Sequence, residues 1–489
     1  MKEIWHRWRL SPSWLRQLVL GVFLLFDSYL GLIYGAGIVG WTGLLTGDIK
    51  WLTLSIEMMV GALILVRIII NQVKPEWKVA IVVSAPIIVA LMGFGILELV
   101  LTGLGRSATM NFNLSSIGSS GLYWAAVYLS IAIGLTLTYK VQHFANFAQA
   151  EMMLVGAYVA LTLMWSDRFF PLADAPSDGI LNWELLIWAV VSAFVITGIL
   201  GLIIDRVVYR RFRDKMSTPQ VMMIASLGVS MVLRALLYMR FSASTFRFIP
   251  DRDWRLTTST FEIPTQTLQL NLGDRIQAPL MGLATNVNPY GFNYSKVALV
   301  IGIFSAVVLL LFLLHRTRLG GQMRAVADNP GLAASSGIYV ERVHGSTAFL
   351  SSGIAGLGGA LLAAILPINP ELGLSLLLPA FAVIVLGSIG SVPGVIIGAL
   401  IVGLLRAVSE PVLIGAGNAL DRPTASGFAE VMPFVFLVGL LLLAPRGIGY
   451  AIQNWNIERI RKRRLAELNR HPSPKRKTPS SFRHLLFAI

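Results

Sequence analysis

The residues best suited to chemistry are polar side chains that interrupt an apolar stretch. Asn146, Gln149 and Glu151 lie within residues 141–151, between two stretches apolar enough to be membrane spans. Polar groups are costly in lipid, so at this depth they usually face a bundle interior or a cavity. Their donors, acceptors and single negative charge suit the capture or passage of a polar solute. A polar clamp between helices, or a short surface loop, fits the same residues equally well.

Residues 320–338 predict a short helix between two later spans. An aspartate and an asparagine followed by proline are typical of a helix start, with a capping residue and then a proline in the first turn. Small residues continue the helix, and a glycine is placed to end it. Such a helix could dock into a groove on a partner protein, although an ordinary amphipathic connector would look the same. The candidate docking residues are Arg324, Asp328, Pro330, Ala333, Ala334 and Gly337.

Small residues repeat at helical spacing in the next apolar stretch. Ser352, Gly356 and Ala360 lie four residues apart, which places them on one face of a helix. Faces of small residues let membrane helices approach one another closely. We therefore predict tight helix packing along this face.

Glycines and a proline break a further apolar stretch, residues 386–398. Irregular backbone at membrane depth is tolerated only where it is buried in protein or lines water. Transporters use such breaks to present free backbone groups to ligands. A tight turn at the inner surface is the other interpretation. The candidate pathway residues in this stretch are Gly387, Gly390, Pro393 and Gly394.

The elements that must position these residues are membrane-spanning helices. The chain has 489 residues, of which 55% are hydrophobic and only 13% charged, whereas soluble domains have roughly 25% charged residues. It contains no cysteine, which excludes disulfides, thiolate nucleophiles and cysteine-ligated metals. The histidines lack metal-site spacing and the sequence has no P-loop, so we expect no metal, no bound cofactor and no catalytic residue. Any ATP must then be used by another polypeptide.

An apolar stretch of about 20 residues can cross a membrane as a helix. We predict an all-α fold, a polytopic transmembrane bundle of about 11–12 spans. Residues 378–391 and 394–408 are short for full spans, so they could form a hairpin broken at Pro393-Gly394 or be partly re-entrant. Arg234, about two turns from the end of its span, could reach the interface with its long side chain. The candidate spans are 17–38, 52–70, 79–101, 121–139, 145–165, 185–204, 220–238, 297–314, 345–366, 378–391, 394–408 and 431–445.

Basic residues predict the orientation, because loops rich in Lys and Arg stay in the cytoplasm. This rule also explains the net charge of +15 without a nucleic-acid partner. Loops 205–219 and 315–345 are basic and loop 166–184 is acidic, which places both termini in the cytoplasm. Alternation of the spans then places residues 239–296 on the periplasmic side.

Residues 239–296 are too long for a simple connection. Polar and apolar residues alternate from Phe261 to Leu272, which predicts strands. The segment is therefore either a periplasmic lid or a family-specific insertion.

Taken in order, these stretches resemble the LivH-type permeases of the branched-chain amino acid ABC importer family, also called hydrophobic amino acid uptake permeases. Residues 146–158 are similar to a family segment with the pattern NFAxGE followed by GAY. Ala150 stands where the family usually has glycine, and Gln149 replaces a frequent histidine. Residues 324–338 resemble the region that contacts the ATPase, and residues 385–398 resemble the glycine-rich signature.

The resemblance implies a permease subunit that moves branched-chain or neutral amino acids into the cytoplasm by ATP-driven alternating access. It implies two cytoplasmic ABC ATPases that use the ATP, a second, LivM-like permease and a periplasmic solute-binding protein, in a bacterial inner (plasma) membrane. It assigns the ATPase contact to residues 324–338. Urea and amide permeases belong to the same family, so an ABC permease for those solutes is an alternative. An ion-coupled secondary transporter is the weaker alternative, because it would need paired broken helices and only one broken region is seen.

The resemblance also divides the chain. Residues 121–450 form the permease core, and residues 1–105 are an N-terminal extension with about three transmembrane helices. Residues 103–121, rich in Gly, Ser and Asn, are interpreted as a linker. Residues 451–489 form a basic cytoplasmic tail, partly disordered because prolines are spread among Lys, Arg and Ser. This tail either binds the headgroups of membrane lipid or is simply solvated.

Overall fold

A computed structural model describes residues 12–33, 47–72, 105–165, 183–246 and 290–419, with shorter stretches between 91 and 102 and between 260 and 284. Among the described residues before the core are the helices α1 (Ser13–Ile33) and α2 (Gly47–Gln72), and the pieces described between 91 and 102 are also helical. A single π-helical turn, Asp205–Tyr209, joins α5 to α6. The core helices are α3 (Leu114–Gln142), α4 (Gln149–Trp165), α5 (Trp183–Ile204), α6 (Arg210–Asp214), α7 (Pro219–Phe241), α8 (Tyr294–Arg316), α9 (Arg318–Asp328), α10 (Pro330–Ser335), α11 (Val340–Ala363), α12 (Leu372–Gly387) and α13 (Val392–Ala419).

Six segments of the described chain are long and apolar enough to cross a membrane: α3, the continuous segment from α5 to α6, α7, α8, α11 and α13. Two shorter apolar helices, α4 and α12, pack among them. The predicted polytopic helical bundle is therefore confirmed. The span predicted at 431–445, most of the span predicted at 79–101 and the tail 451–489 lie outside the described residues.

Local sequence explains where several helices begin and end. Asn113 precedes α3, and its side chain accepts a hydrogen bond from Ser116 N at 3.0 Å. Asn329 caps α10 in the same way by accepting from Leu332 N at 3.0 Å. Both contacts satisfy a backbone N–H that the first helical turn leaves without a partner. His143 ends α3 in a left-handed conformation, with φ of 62°.

Helix α3 forms the centre of the bundle and is buried along most of its length. It packs against α11 and α13, and α11 also packs against α4 and α5. Glycine permits the closest of these contacts, because a Cβ on Gly156 of α4 would overlap the backbone of Gly356 on α11. A Cβ on Gly201 of α5 would overlap Ser352 in the same way. Ser352 and Gly356 thus lie where backbones nearly touch, and Ala360 is fully buried on the same helix.

The N-terminal helices also pack onto the core. Helices α1 and α2 contact each other closely, because a Cβ on Gly61 would lie within 2.9 Å of the carbonyl oxygen of Gly21. Leu63 of α2 is buried in the main hydrophobic core together with residues of α3 and α4. Helix α2 of the extension therefore packs directly against the core bundle.

In the part of the chain that the structure describes, five short strands form two small sheets at one end of the bundle. β1 (Ala108–Asn113) pairs antiparallel with β3 (Thr267–Leu272), which pairs with β4 (Met281–Ala284). β2 (Thr260–Ile263) pairs with β5 (Tyr290–Asn293). The alternating pattern in the insertion therefore does contain strands, as predicted.

The two ends of the bundle differ in structure. The sheet end carries β1 and the start of α3, and a Cβ on Gly415 near the end of α13 would lie 2.6 Å from Met110 of β1. The connector end carries α9 and α10, which link α8 to α11, and the last residue of α3, Gln142, which bonds to His344 near the start of α11. Helix α3 therefore runs from the sheet end of the bundle to the connector end.

The structure differs from two of the sequence predictions. The predicted linker 103–121 contains β1 and the first turns of α3. Its residues alternate between buried and exposed along β1, so the polar ones lie on the open face of a strand. The predicted break at Pro393-Gly394 lies earlier, at residues 388–391. Pro393 is the second residue of α13, where its fixed φ suits a first helical turn, and α13 is 28 residues long in all.

Candidate substrate pathway and coupling segment

The connection between α3 and α4 is held by buried polar side chains. Asn146 Oδ1 accepts a hydrogen bond from the Tyr209 hydroxyl at 2.8 Å and another from Ala148 N at 3.2 Å. Gln149, fully buried at the start of α4, donates from Nε2 to Ser351 Oγ on α11 at 3.0 Å. Both side chains therefore form a polar clamp between helices, one of the roles that the sequence left open. Their contact with a solute stays a prediction.

Glu151 differs from these two because it forms an ion pair at membrane depth. It lies in the first turn of α4 and is completely buried. Its Oε1 accepts a hydrogen bond from Arg234 Nε on α7 at 3.0 Å, and Arg234 Nη2 contacts the same oxygen. Within the described part of the chain, Glu151 Oε2 has no hydrogen-bond partner. The carboxylate therefore keeps one oxygen unused, although it is deeply buried.

Arg234 belongs to a polar stripe along α7, whose members follow one another at four-residue spacing and so share one helix face. At the connector end, the stripe meets the connection between α3 and α4, because Phe147 N donates to Ser226 Oγ at 3.1 Å. At the sheet end, the Tyr238 hydroxyl donates to Glu371 Oε1 at 3.1 Å. Polar groups thus follow α7 across most of its length. The stripe consists of Ser226, Ser230, Arg234 and Tyr238.

Sequence reasoning named Glu151 but missed its partner. The structure turns the Arg234 side chain toward Glu151, with 21% of that side chain still exposed, and not along the helix to the interface. The four-residue spacing of the stripe was the signal that could have placed Arg234 on an inward face. Its pairing could not be read from the sequence, because 83 residues separate the two side chains.

A second buried network joins helices at the connector end. Arg213 Nη1 and Nη2 bind the Asp205 carboxylate at 2.8 and 3.0 Å, and Nη2 also binds Glu341 Oε2 at 2.8 Å. Gln142 Nε2 donates to Asp205 Oδ1 at 3.2 Å and to the His344 carbonyl at 3.0 Å. Asp205 opens the π-helical turn, a feature that is frequent at functional sites. The network therefore ties the ends of α3, α5 and α11 together next to the connector.

The connector has the form that the sequence predicted. Helix α10 begins at Pro330, is capped by Asn329, and is followed by Gly337 at φ of 83°. Ala333 is buried against the bundle, whereas Leu332 and Ala334 are exposed. Helix α10 is therefore anchored on one side and presents a small, accessible surface on the other.

The remaining docking candidates lie on or beside α9. Arg324 donates from Nη1 to the carbonyl of Leu314, which ties α9 back to the end of α8. Asp328, the last residue of α9, is exposed. The structure thus brings all six candidates onto one continuous segment.

The glycine-rich candidates lie in a tight turn at the connector end. Gly390 has φ of 87°, and a Cβ there would lie 3.6 Å from the ring of Tyr139 near the end of α3. Gly387 and Gly394 let α12 and α13 cross, because a Cβ on either would overlap the backbone of the other. Pro393 is exposed beside the turn. The structure has the tight turn of the second interpretation, in which these residues shape the helix crossing. They do not adjoin Glu151 in the described contacts, and their contact with a solute stays a prediction.

The sequence profile of the permease component of branched-chain amino acid transport systems matches residues 117–444. No solved structure matches the chain.

Curated relatives agree with that match. The high-affinity branched-chain amino acid transport system permease protein LivH of Escherichia coli K12 is 27% identical over 331 residues, which cover 67% of this chain and 93% of that protein. A probable branched-chain amino acid transport permease protein LivH of Methanocaldococcus jannaschii is 26% identical over 333 residues, 67% of this chain and 90% of the relative. A ribose import permease protein, RbsC of Bacillus subtilis, is 36% identical over 180 residues, 34% of this chain and 52% of the relative.

Proposed function

This chain belongs to the family of permease components of branched-chain amino acid transport systems, and on that premise we propose that it imports branched-chain or other neutral amino acids. As a membrane-embedded permease subunit of an ABC importer, it provides the path for the solute. Two partner ATPases bind and hydrolyse the ATP, and this chain binds no cofactor of its own. A second permease and a periplasmic solute-binding protein complete the complex.

The observation that supports coupling to an ATPase is the exposed side of α10. Ala333 fixes the helix to the bundle, while Ala334 and Leu332 remain accessible. Because the side chain of Ala334, at the centre of that surface, is small, the helix can fit into a groove on a partner protein. We assign the ATPase contact to this surface.

Movement of α10 can be transmitted to the bundle through α11. Gly337 separates it from α11, whose second residue, Glu341, binds Arg213 and through it Asp205. Helix α11 in turn packs on α4 and α5 through small residues. A shift of α10 on ATP binding would therefore move α11 relative to α5. This movement would open the solute pathway to one side of the membrane and close it to the other.

The proposed orientation follows from the same contact. If α10 meets a cytoplasmic ATPase, the connector end faces the cytoplasm. The two sheets, which β1 forms together with strands of the insertion 239–296, then face the periplasm. Both termini then lie in the cytoplasm, in a bacterial inner membrane. The extension 1–105 is a packing element on the outside of the bundle.

Substitution of Ala334 tests the proposal in the reconstituted complex of both permeases, the ATPases and the binding protein. We expect Ala334→Arg to lower ATP-dependent leucine uptake by at least about tenfold, equivalent to about 1.4 kcal/mol of lost docking free energy. Ala334→Ser should retain uptake, because serine is nearly as small. Met216→Arg is the matched control, since Met216 is 90% exposed at the same end of the bundle but lies outside the connector.

Unchanged uptake by Ala334→Arg, with full assembly of the complex, would show that α10 is an ordinary connector. Uptake by wild-type protein in liposomes without ATP would instead favour an ion-coupled transporter. Uptake of urea or acetamide in place of leucine would keep the importer and change its solute.

A further inference from the structure

We propose that residues 242–246, which follow α7, form a gate at the sheet end of the bundle. The structure shows this gate closed, and it opens toward the periplasm when a solute enters from that side. Its parts are a strained hinge, a cover of aromatic rings and a backbone bridge that holds the cover in place. This inference rests on the proposed import function and identifies the element that closes the pathway on the periplasmic side.

The hinge is Ser242, the residue at which α7 ends. Its backbone has φ of 58° and ψ of −165°, a region that glycine populates almost exclusively. Its N–H donates to the carbonyl of Tyr238 at 2.8 Å, so α7 is intact up to this residue. Strained residues of this kind persist only where surrounding contacts hold them, and they cluster in switch regions and ligand clamps. The conformation of Ser242 therefore requires contacts further along the chain.

A backbone bridge four residues later supplies such contacts. Phe246 N donates to the Ile368 carbonyl at 2.8 Å, and Ile368 N donates to the Phe246 carbonyl at 2.7 Å. Ile368 lies between α11 and α12 and is 1% exposed. The pair is an isolated antiparallel bridge outside the five strands. Because a backbone hydrogen bond exchanged for one with water contributes little net stability, two such bonds can break and form again as helices move.

The aromatic rings next to the bridge form the cover. Tyr158 of α4 and Phe241 stack with their ring centroids 4.3 Å apart, and the Phe246 ring meets them edge-on at 6.4 and 6.0 Å. Tyr158 is 2% exposed, and its hydroxyl is buried without a hydrogen-bond partner among the described residues. A buried hydroxyl without a partner is costly, and water that enters an open gate removes that cost. The rings therefore close the site, while the Tyr158 hydroxyl and the strained Ser242 favour its opening.

The gate lies at the sheet end of the polar stripe of α7. Tyr238, the last member of the stripe, precedes Phe241 by three residues, which is about one helical turn. Its hydroxyl bonds to Glu371, which follows Ile368 by three residues. The two segments that the bridge joins therefore also meet at the end of the stripe. A solute that follows the stripe from the periplasm passes the bridge and the rings first.

The test locks the gate with a disulfide in the reconstituted complex, since the chain has no cysteine of its own. Hydrogen-bonded residues of an antiparallel pair have Cα atoms about 5.5 Å apart, a distance that a disulfide spans. We expect oxidised Phe246→Cys/Ile368→Cys to import radiolabelled leucine at least about tenfold more slowly than the wild type. Reduction should restore uptake. Both forms contain the same substitutions, so the loss of two side chains cannot explain the difference.

Thr109→Cys/Asn271→Cys is the matched control. These two residues face each other across β1 and β3 at the same end of the bundle. Their disulfide therefore adds a crosslink of the same kind without joining the gate. Its oxidised form should import leucine at the wild-type rate, and assembly of the complex should be unchanged in both variants.

The hinge provides an independent test. Ser242→Gly removes the strain of the closed conformation and thereby favours the closed gate. We expect it to raise the unfolding temperature and to lower leucine uptake by about fivefold or more. Ser242→Ala keeps the strain and should import leucine as the wild type does. A gain in stability from glycine without any loss of uptake would mean that Ser242 only shapes a turn, and would overturn the hinge.

The crosslinking results decide whether the gate exists. Wild-type uptake by oxidised Phe246→Cys/Ile368→Cys, with its disulfide formed, would overturn the gate. Failure of the two thiols to join would also overturn it, because the bridge would then be absent from the complex. An equal loss of uptake in the oxidised control would do the same, since any crosslink at this end would then have the effect. Failure of the wild-type complex to import leucine or urea with ATP would instead refute the proposed function.

Discussion

Asp205 shows how much a single buried charge depends on its partners. Its side chain is 2% exposed, yet it accepts hydrogen bonds from Arg213 and Gln142. Removal of one partner from a buried ion pair is strongly destabilising, because the other charge stays buried without compensation. Arg213 also binds Glu341, so part of its compensation would survive the loss of Asp205.

We predict that Asp205→Asn lowers the free energy of unfolding by on the order of 2 kcal/mol, less than for an isolated buried pair because Glu341 remains. The unfolding temperature of the purified permease in detergent, followed by intrinsic fluorescence, measures the effect. Asp214→Asn is the control, since Asp214 is exposed at the end of α6. Equal unfolding temperatures for both variants would mean that the network contributes little to stability.

At the scale of elements, the contact between α4 and α11 depends on glycine on both sides. A Cβ on Gly156 would overlap the backbone of Gly356, and one on Gly356 would overlap Thr197 of α5. Backbone atoms cannot move aside as a flexible side chain can. Three helices are therefore fixed at a spacing that only these residue types allow.

We predict that Gly156→Ala costs about 1–3 kcal/mol, the usual cost of overpacking a core, and lowers the yield of monodisperse protein. Size-exclusion chromatography and the unfolding temperature report both effects. Gly118→Ala is the matched control, because Gly118 lies in α3 with nothing within 4 Å of an added Cβ. It should leave stability unchanged or raise it by up to about 1 kcal/mol, since alanine restricts the unfolded chain. Equal behaviour of the two variants would contradict the close contact.

At the scale of the whole molecule, contacts at the two ends of the bundle show which loops lie on the same side of it. Loops predicted on the same side meet in the structure, because Arg213 before α7 binds Glu341 after the connector. Residues predicted on the opposite side also meet, because β1 pairs with β3 of the insertion. The contacts therefore agree with the alternation of spans inferred from basic loops.

The absence of cysteine makes the orientation easy to test with single introduced thiols. We predict that Lys215→Cys reacts with a membrane-impermeant maleimide only after cells are permeabilised. Asn111→Cys, exposed on β1, should react in intact spheroplasts. Both positions lie outside the proposed pathway, so uptake should be unaffected. The reverse labelling pattern would invert the proposed orientation and refute the cytoplasmic contact of α10.

The sequence by itself determined the elements that depend on local pattern. Apolar runs predicted most of the helices, the aspartate-asparagine-proline sequence predicted α10, and alternation from Phe261 to Leu272 predicted strands. These features depend on neighbours within a few residues, which is why they can be read along the chain. The same locality explains the errors. The composition of residues 103–121 suggested a linker, because the strand that pairs with β1 lies 154 or more residues away in the sequence.

The tertiary structure alone decided which polar residues meet. Asn146 and Gln149 are clamped by Tyr209 and Ser351, whereas Glu151 pairs with Arg234 and keeps one oxygen free. All three acidic or amide side chains look alike in sequence, because each interrupts the same apolar stretch. Their different roles arise from the partners that α5, α7 and α11 bring to them. Such pairing depends on how distant helices cross, and packing of the whole bundle fixes that crossing.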